Sequence, residues 1–250
     1  MLRCLCLLAA ILATCTTTTS LARGARVFSG LARRRLTMSR GAVPAASGPG
    51  LVSGGTHLLL GSGSASRKAI LAEAGYSFEV FKADIDERAI GDRSNGEGAR
   101  ELVMLLGNAK ADAIIRANPQ LEEGVLLTAD QVVVCKNLVL EKPLTEAEAR
   151  EYMGWYGDHP CSTVGSIVLT DLKSGKRVSG VETATITFRP LSEDVISQLI
   201  KGGEVFYCAG GLMIEHPLVQ PFIVSVEGSM QSVMGMSTVL LQELLDQLHK

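Results

Sequence analysis

The stretch His57–Leu71, His-Leu-Leu-Leu-Gly-Ser-Gly-Ser-Ala-Ser-Arg-Lys-Ala-Ile-Leu, leaves the chain few ways to fold. Three leucines make a buried strand over Leu58–Leu60, small residues make a loop over Gly61–Ser66, and a helix opens at Arg67. A helix start carries unpaired N–H groups and the positive end of the macrodipole, so this geometry favours a bound phosphate. The glycines let the main chain approach an anion, and Ser62, Ser64 and Ser66 add hydroxyl donors. Arg67 and Lys68 set two cations beside the same point. A plain strand–helix connection capped by Ser66 accounts for the same letters without a ligand.

A chain of 250 residues holds one large domain or two small ones. A net charge of -2 and a pI of about 6.1 give no reason to expect a nucleic-acid backbone as partner. The first 54 residues differ from the rest, since no Asp or Glu precedes Glu73. Arg3 precedes an apolar run, Leu5 to Leu12, that is too short to span a bilayer. A Thr-rich patch follows, then Arg23, Arg26, Arg33, Arg34, Arg35 and Arg40 among Ala, Ser and Gly. This is targeting composition, either a signal peptide with a transit-like segment or a single mitochondrial or plastid presequence. Residues 1–54 are therefore set apart as a leader and 55–250 as the folded domain, with an organellar location expected and a cytoplasmic one as the alternative. Met38 offers an internal start. Outside the leader, Cys135, Cys161 and Cys208 lack the spacing of a disulfide framework or a zinc site, and read as buried thiols.

Beyond the loop, a short helix ends at Gly75 and a strand is expected over Phe78–Phe81. The acids of Lys82-Ala83-Asp84-Ile85-Asp86-Glu87-Arg88 form a solvated turn, or else Glu87 or Asp86 points into a divalent-metal site. A helix is predicted from Ala99 to Ala117, with an apolar stripe of Leu102, Leu105, Leu106, Ala109, Ala113 and Ile114. Lys110 lies beside that stripe, where it either snorkels to water or reaches a phosphate. Val125–Val134 is a near-continuous apolar strand with Asp130 at its centre. Burying a carboxylate there is costly unless it is paired, hydrogen-bonded or bound to a cation, so Asp130 is a functional candidate. The alternative is a bend at Thr128–Gln131 that opens Asp130 to water. Lys142 follows the next strand and is a further phosphate ligand or a surface lysine. Thr145 and Glu148 read as a capping box, and the second half reads as β-rich with a closing helix over Thr238–Leu248.

Several of these segments occur together in one known order. Leu60–Lys68, Ala83–Glu87, Lys110 within Asn108–Ala111, Ala129-Asp130-Gln131-Val132 and Glu141-Lys142-Pro143 resemble the motifs of the Maf, or septum-formation-inhibitor-like, family. Cys208–Gly211, Gly228-Ser229 and Val233–Gly235 extend the resemblance, which covers about Leu58 to Leu248. It implies an α/β fold of the Maf/ITPase type, with a central curved mixed sheet, flanking helices and a cleft between two lobes. It also implies hydrolysis of a nucleoside triphosphate to monophosphate and pyrophosphate with a divalent metal (Mg or Mn), and a homodimer. By position, Asp130 is then the acceptor of the water's proton, and Glu87 joins it at the metal. Ser62, Ser64, Arg67, Lys68, Lys110 and Lys142 are phosphate contacts.

Asp130-Gln131, Cys208-Ala209-Gly210 and Glu215 resemble the branch that acts on 7-methyl-GTP rather than the dTTP/UTP branch, which makes Ser66, Gln131 and Glu215 the specificity positions. A carboxylate at Glu215 can accept from guanine N1–H and its amino group, which uracil cannot mimic. That branch often carries a bulky aromatic where Ser66 stands. Two rival classes are a nucleotide-binding regulator without turnover and a dinucleotide-binding oxidoreductase. The second would read Gly61-x-Gly63 with Asp84 as its fingerprint, but Ser66 stands in place of the third glycine.

Overall fold

The computed structural model describes residues 57–250; the leader expected over 1–54 lies outside them. Seven strands form one mixed sheet in the order β2-β1-β3-β5-β6-β7, with β4 also paired to β3. They span Leu58–Leu60 (β1), Phe78–Val80 (β2), Val125–Cys135 (β3), Leu138–Leu140 (β4), Cys161–Asp171 (β5), Arg177–Phe188 (β6) and Ile223–Glu227 (β7). β1 lies parallel to β2 and β3, and every other pairing is antiparallel. The helices are α1 (Ala65–Glu73), α2 (Ala99–Ala117), α3 (Glu146–Trp155), α4 (Glu193–Gly202), α5 (Met230–Met234) and α6 (Thr238–Leu248). None of the described helices is long and apolar enough to cross a membrane.

β3 is the spine of the sheet. One edge pairs with β5 without interruption from Val125 to Val134. The other edge pairs with β1 only over Val125–Leu127 and with β4 only over Val133–Cys135. Thr128 to Val132 thus face a notch between β1 and β4, and Asp130 sits in its middle. Alternation along the strand sorts the side chains. Val125, Leu127 and Ala129 pack with α1 and α6 at one end, while Val133 and Cys135 pack with α3 and α4 at the other. Gln131 separates these two cores. On the opposite face Leu126, Thr128, Asp130 and Val132 meet α2. The bend considered at Thr128–Gln131 is absent, because ladder bonds to β5 run straight through it.

Three local expectations change. Helix α1 starts at Ala65, two residues early, and its cap is Ser64, whose hydroxyl accepts from the Arg67 N–H; Ser66 instead shares a 2.9 Å hydrogen bond with the Ser64 hydroxyl. Helix α2 has its predicted bounds and buries Leu102, Leu106 and Ile114 of the expected stripe, but the buried face extends through Val103, Gly107, Lys110 and Ala111 and leaves Leu105 exposed. Gly107 favours this shift: a Cβ there would lie 3.0 Å from both Ser166 Oγ and Val168 Cγ2, so a larger residue would make the helix or those side chains give way. Thr145 caps α3 as expected, yet Glu148 reaches back to the Leu144 N–H at 2.7 Å rather than to Thr145.

Candidate active site

The notch brings together side chains from four segments. Asp130, 6% exposed, projects toward α2, and its Oδ1 accepts from Lys110 Nζ at 2.5 Å. The same ammonium lies 3.1 Å from Glu87 Oε1 in the turn after β2. Lys110 is in the buried line of α2, so its charge faces the two carboxylates rather than open water. Asp86 does not join them; it caps the short helix at Glu87–Ala89 by accepting from the Arg88 N–H. Burial raises the Asp130 pKa above the ordinary carboxylate range, opposed by Lys110 and Arg67. A buried carboxyl group with its pKa displaced upward is suited to accept a proton near neutral pH.

Arg67 forms the other wall. Its guanidinium is buried and donates to Gly235 O from Nε, and to Ser62 Oγ and Ala129 O from Nη1, each at 3.1 Å. The bond to Ala129 O satisfies a carbonyl at the notch. Burial lowers the Arg67 pKa, and the charges of Asp130 and Glu87 raise it in turn, so these groups sense one another. The loop Gly61–Ser64 is fixed against the sheet by Gly61 N–H donating to Leu127 O at 2.7 Å. A Cβ on Gly61 would lie 2.5 Å from Thr128 Cγ2 and 2.7 Å from Ile114 Cδ1, so the loop passes here only as glycine. Lys68 is half-buried on the first turn of α1, and its side chain makes no hydrogen bond among the described residues.

Other predicted residues divide. Lys142 is exposed after β4, and the adjoining Glu141 accepts from Arg93 Nε at 2.8 Å. Arg93 also donates to the carbonyls of Glu87 and Ile90, both at 2.6 Å, and so ties the Glu87 turn to the segment after β4 that carries Lys142. Gln131 points to the face opposite Asp130, where its amide donates to the carbonyls of Ser232 and Val233. Glu215 is exposed in the turn after the Cys208–Gly211 segment and shares no hydrogen bond or ion pair with the Asp130 cluster.

Local sequence gave little hint of three contributors. Arg93 is one, and Glu182, on the Gln131 face, is the second. Lys82 is the third: it is exposed just after β2, and its Cε lies 3.5 Å from where a Cβ on Gly63 would stand. Because β1 and β2 are parallel, Lys82 and the loop leave the sheet at the same end, the usual place for ligands in such sheets.

A serine- and glycine-rich loop at a helix start, beside a buried acid–lysine pair near the end of parallel strands, is the arrangement of a phosphate-handling α/β protein. The family model described as Maf-like protein matches residues 57–248, and the chain belongs to that family. It is 36% identical over 195 residues to a 7-methyl-GTP pyrophosphatase of Dictyostelium discoideum, covering 76% of this chain and 96% of that protein. It is 33% identical over 190 residues to a dTTP/UTP pyrophosphatase of Vibrio vulnificus strain YJ016, covering 75% and 96%. A 7-methyl-GTP pyrophosphatase of Pseudoalteromonas translucida is 27% identical over 188 residues, covering 75% and 90%.

Proposed function

We propose that this chain hydrolyses nucleoside triphosphates to the monophosphate and pyrophosphate, clearing modified or non-standard nucleotides from the cellular pool. The observation that carries the reading is Asp130, buried in the notch with Lys110 on its Oδ1 and the phosphate-type loop beside it. The named activities of the relatives above support it.

The first-turn N–H groups of α1 with Arg67, Lys68 and Lys142 hold the triphosphate, and their charge is placed where the pyrophosphate leaves. Asp130 takes the proton of a water whose oxygen bonds to the α-phosphorus, and the bond from that phosphorus to the bridging oxygen breaks, releasing pyrophosphate. Lys110 keeps the carboxyl group ionised for this step and orients it. Asp130 and Glu87 offer hard oxygen donors that already converge on one cation, the Lys110 ammonium, and this donor set fits Mg or Mn. Those two carboxylates would hold the metal, which supplies neutralisation of phosphate charge when bound.

Base choice falls to Ser66 and to Glu215, whose carboxylate can accept from a guanine edge. Gln131 acts indirectly, because its amide nitrogen is committed to main-chain carbonyls. A 7-methylated guanine nucleotide is accordingly favoured over dTTP or UTP. The test is a panel of natural and modified triphosphates with magnesium or manganese, scored for pyrophosphate against orthophosphate. Pyrophosphate as primary product is expected, and orthophosphate would overturn the bond assignment. The leader is read as an organellar address, tested by following a fluorescent protein fused to residues 1–54.

A further inference from the structure

Glu182 on β6 lies across from Gly165 on β5, which lies across from Gln131 on β3. Gly165 adds no side chain, so Glu182 and Gln131 share one face and meet one segment. Glu182 Oε1 accepts from the Ser237 N–H at 2.8 Å, and Oε2 accepts from the Ser232 hydroxyl at 2.7 Å. Gln131 Nε2 donates to Ser232 O at 2.7 Å and to Val233 O at 3.3 Å. The turn from Ser232 to Ser237 is therefore pinned at both ends. Between the pins stands Gly235, with φ of 133°, and its carbonyl accepts from Arg67 Nε at 3.1 Å. A guanidinium is a planar fork, so fixing Nε on Gly235 and Nη1 on Ser62 and Ala129 fixes the plane of the whole group.

We propose that Glu182 is a positioning residue for the hydrolysis, holding the Ser232–Ser237 turn so that Gly235 aims the Arg67 guanidinium at the triphosphate. The proposal rests on the phosphate-binding role given to Arg67 above. Glu182 lies on the Gln131 face, and its carboxylate oxygens are both engaged with the turn, so it acts through Arg67 rather than on the substrate. A carboxylate accepting two hydrogen bonds makes a stiffer support than neutral pairs would.

The test compares Glu182→Ala, Glu182→Gln, Ser232→Ala, Arg67→Ala and the double variant Glu182→Ala/Arg67→Ala by pyrophosphate release, with KM and kcat separated and thermal midpoints recorded. Glu182→Ala is expected to raise KM about tenfold with a smaller change in kcat, the size of one lost charge-assisted hydrogen bond. Glu182→Gln should return KM to within about twofold of the parent, because an amide accepts from Ser237 N–H and donates to Ser232 Oγ. Ser232→Ala removes one pin without stranding a charge and should raise KM about threefold, which keeps the test open if Glu182→Ala does not fold. The double variant should bind no worse than Arg67→Ala alone, since residues acting as a unit are not additive. Additive penalties, an unchanged KM in Ser232→Ala, or a Gln variant as weak as the Ala variant would overturn the proposal. An unchanged KM in Arg67→Ala would remove the phosphate role of Arg67 itself, and the positioning role with it. A raised KM in Arg67→Ala with none in Glu182→Ala would sink the positioning role alone.

Discussion

Replacing Asp130 by Asn separates catalysis from stability in one step. The side chain keeps its shape, but it can no longer take a proton, so turnover should fall by about 10²–10⁴, the range of a lost general base. At about 1.4 kcal/mol per tenfold, that is ~3–5 kcal/mol of transition-state stabilisation. Stability should move the other way. The Asp130 side chain is 8% exposed, and burial raises its pKa despite the Lys110 ammonium at 2.5 Å. A carboxyl group whose folded pKa is raised stabilises the fold when protonated, and that stabilisation is lost as pH rises through the folded value. At neutral pH the ionised acid is therefore a cost, and Asn stands in for its protonated form. Lys110 still keeps Glu87 at 3.1 Å, although that partner is half-exposed and its attraction is screened. The expected net effect is a raised melting midpoint. Pyrophosphate release and differential scanning calorimetry, each run at neutral pH, supply the two readings. Turnover within tenfold of the parent would refute the base assignment, and a clearly lower midpoint would refute the electrostatic account.

Chelation with EDTA should abolish pyrophosphate release, and magnesium or manganese should restore it; full activity in chelator would remove the metal role of Glu87 and Asp130. Gly61→Ala should lower stability by about 1–3 kcal/mol in urea titration, because the added Cβ would press on Thr128 Cγ2 and Ile114 Cδ1. Lys82→Ala should raise KM for triphosphate about fivefold, with the difference shrinking at high salt, since an exposed cation beside the loop acts through screened attraction. Arg93→Ala frees the Glu87 turn from Glu141 and should lower kcat by about tenfold, with the metal requirement shifted to higher concentration.

What the sequence made plain was local in origin. Leu58–Leu60 and the loop after it announced a strand feeding a helix, Ala99 to Ala117 announced its own ends, and an acid within Val125–Val134 announced a site. Each of these follows from neighbours a few residues away, where periodicity and capping operate. Arg93 and Glu141 are 48 residues apart, and Glu182 and Ser232 are 50 apart, so no spacing rule could pair them. Leu102, Leu106 and Ile114 of the expected α2 stripe are buried, but the edge of the buried face differs for a related reason. Leu105 is the more apolar residue, but the small Gly107 decides which side of the helix can approach β5, and that is a property of the packed surface. Gln131, a specificity position by resemblance, is turned by strand alternation to the face opposite Asp130, and its partners Ser232 and Val233 lie about a hundred residues on, again beyond any spacing rule.

Three successive residues of β3 carry three separate duties: the Ala129 carbonyl receives Arg67, the Asp130 side chain faces Lys110, and the Gln131 side chain grips the Ser232–Val233 main chain. Sliding the strand by a single position would trade the acid for the amide, so the register with β5 is what specifies the chemistry. The β3 amides that pair with β5 should exchange with deuterium only on global unfolding, whereas those that face the notch should exchange sooner, so the acid rests on a backbone as durable as the molecule itself along one edge alone.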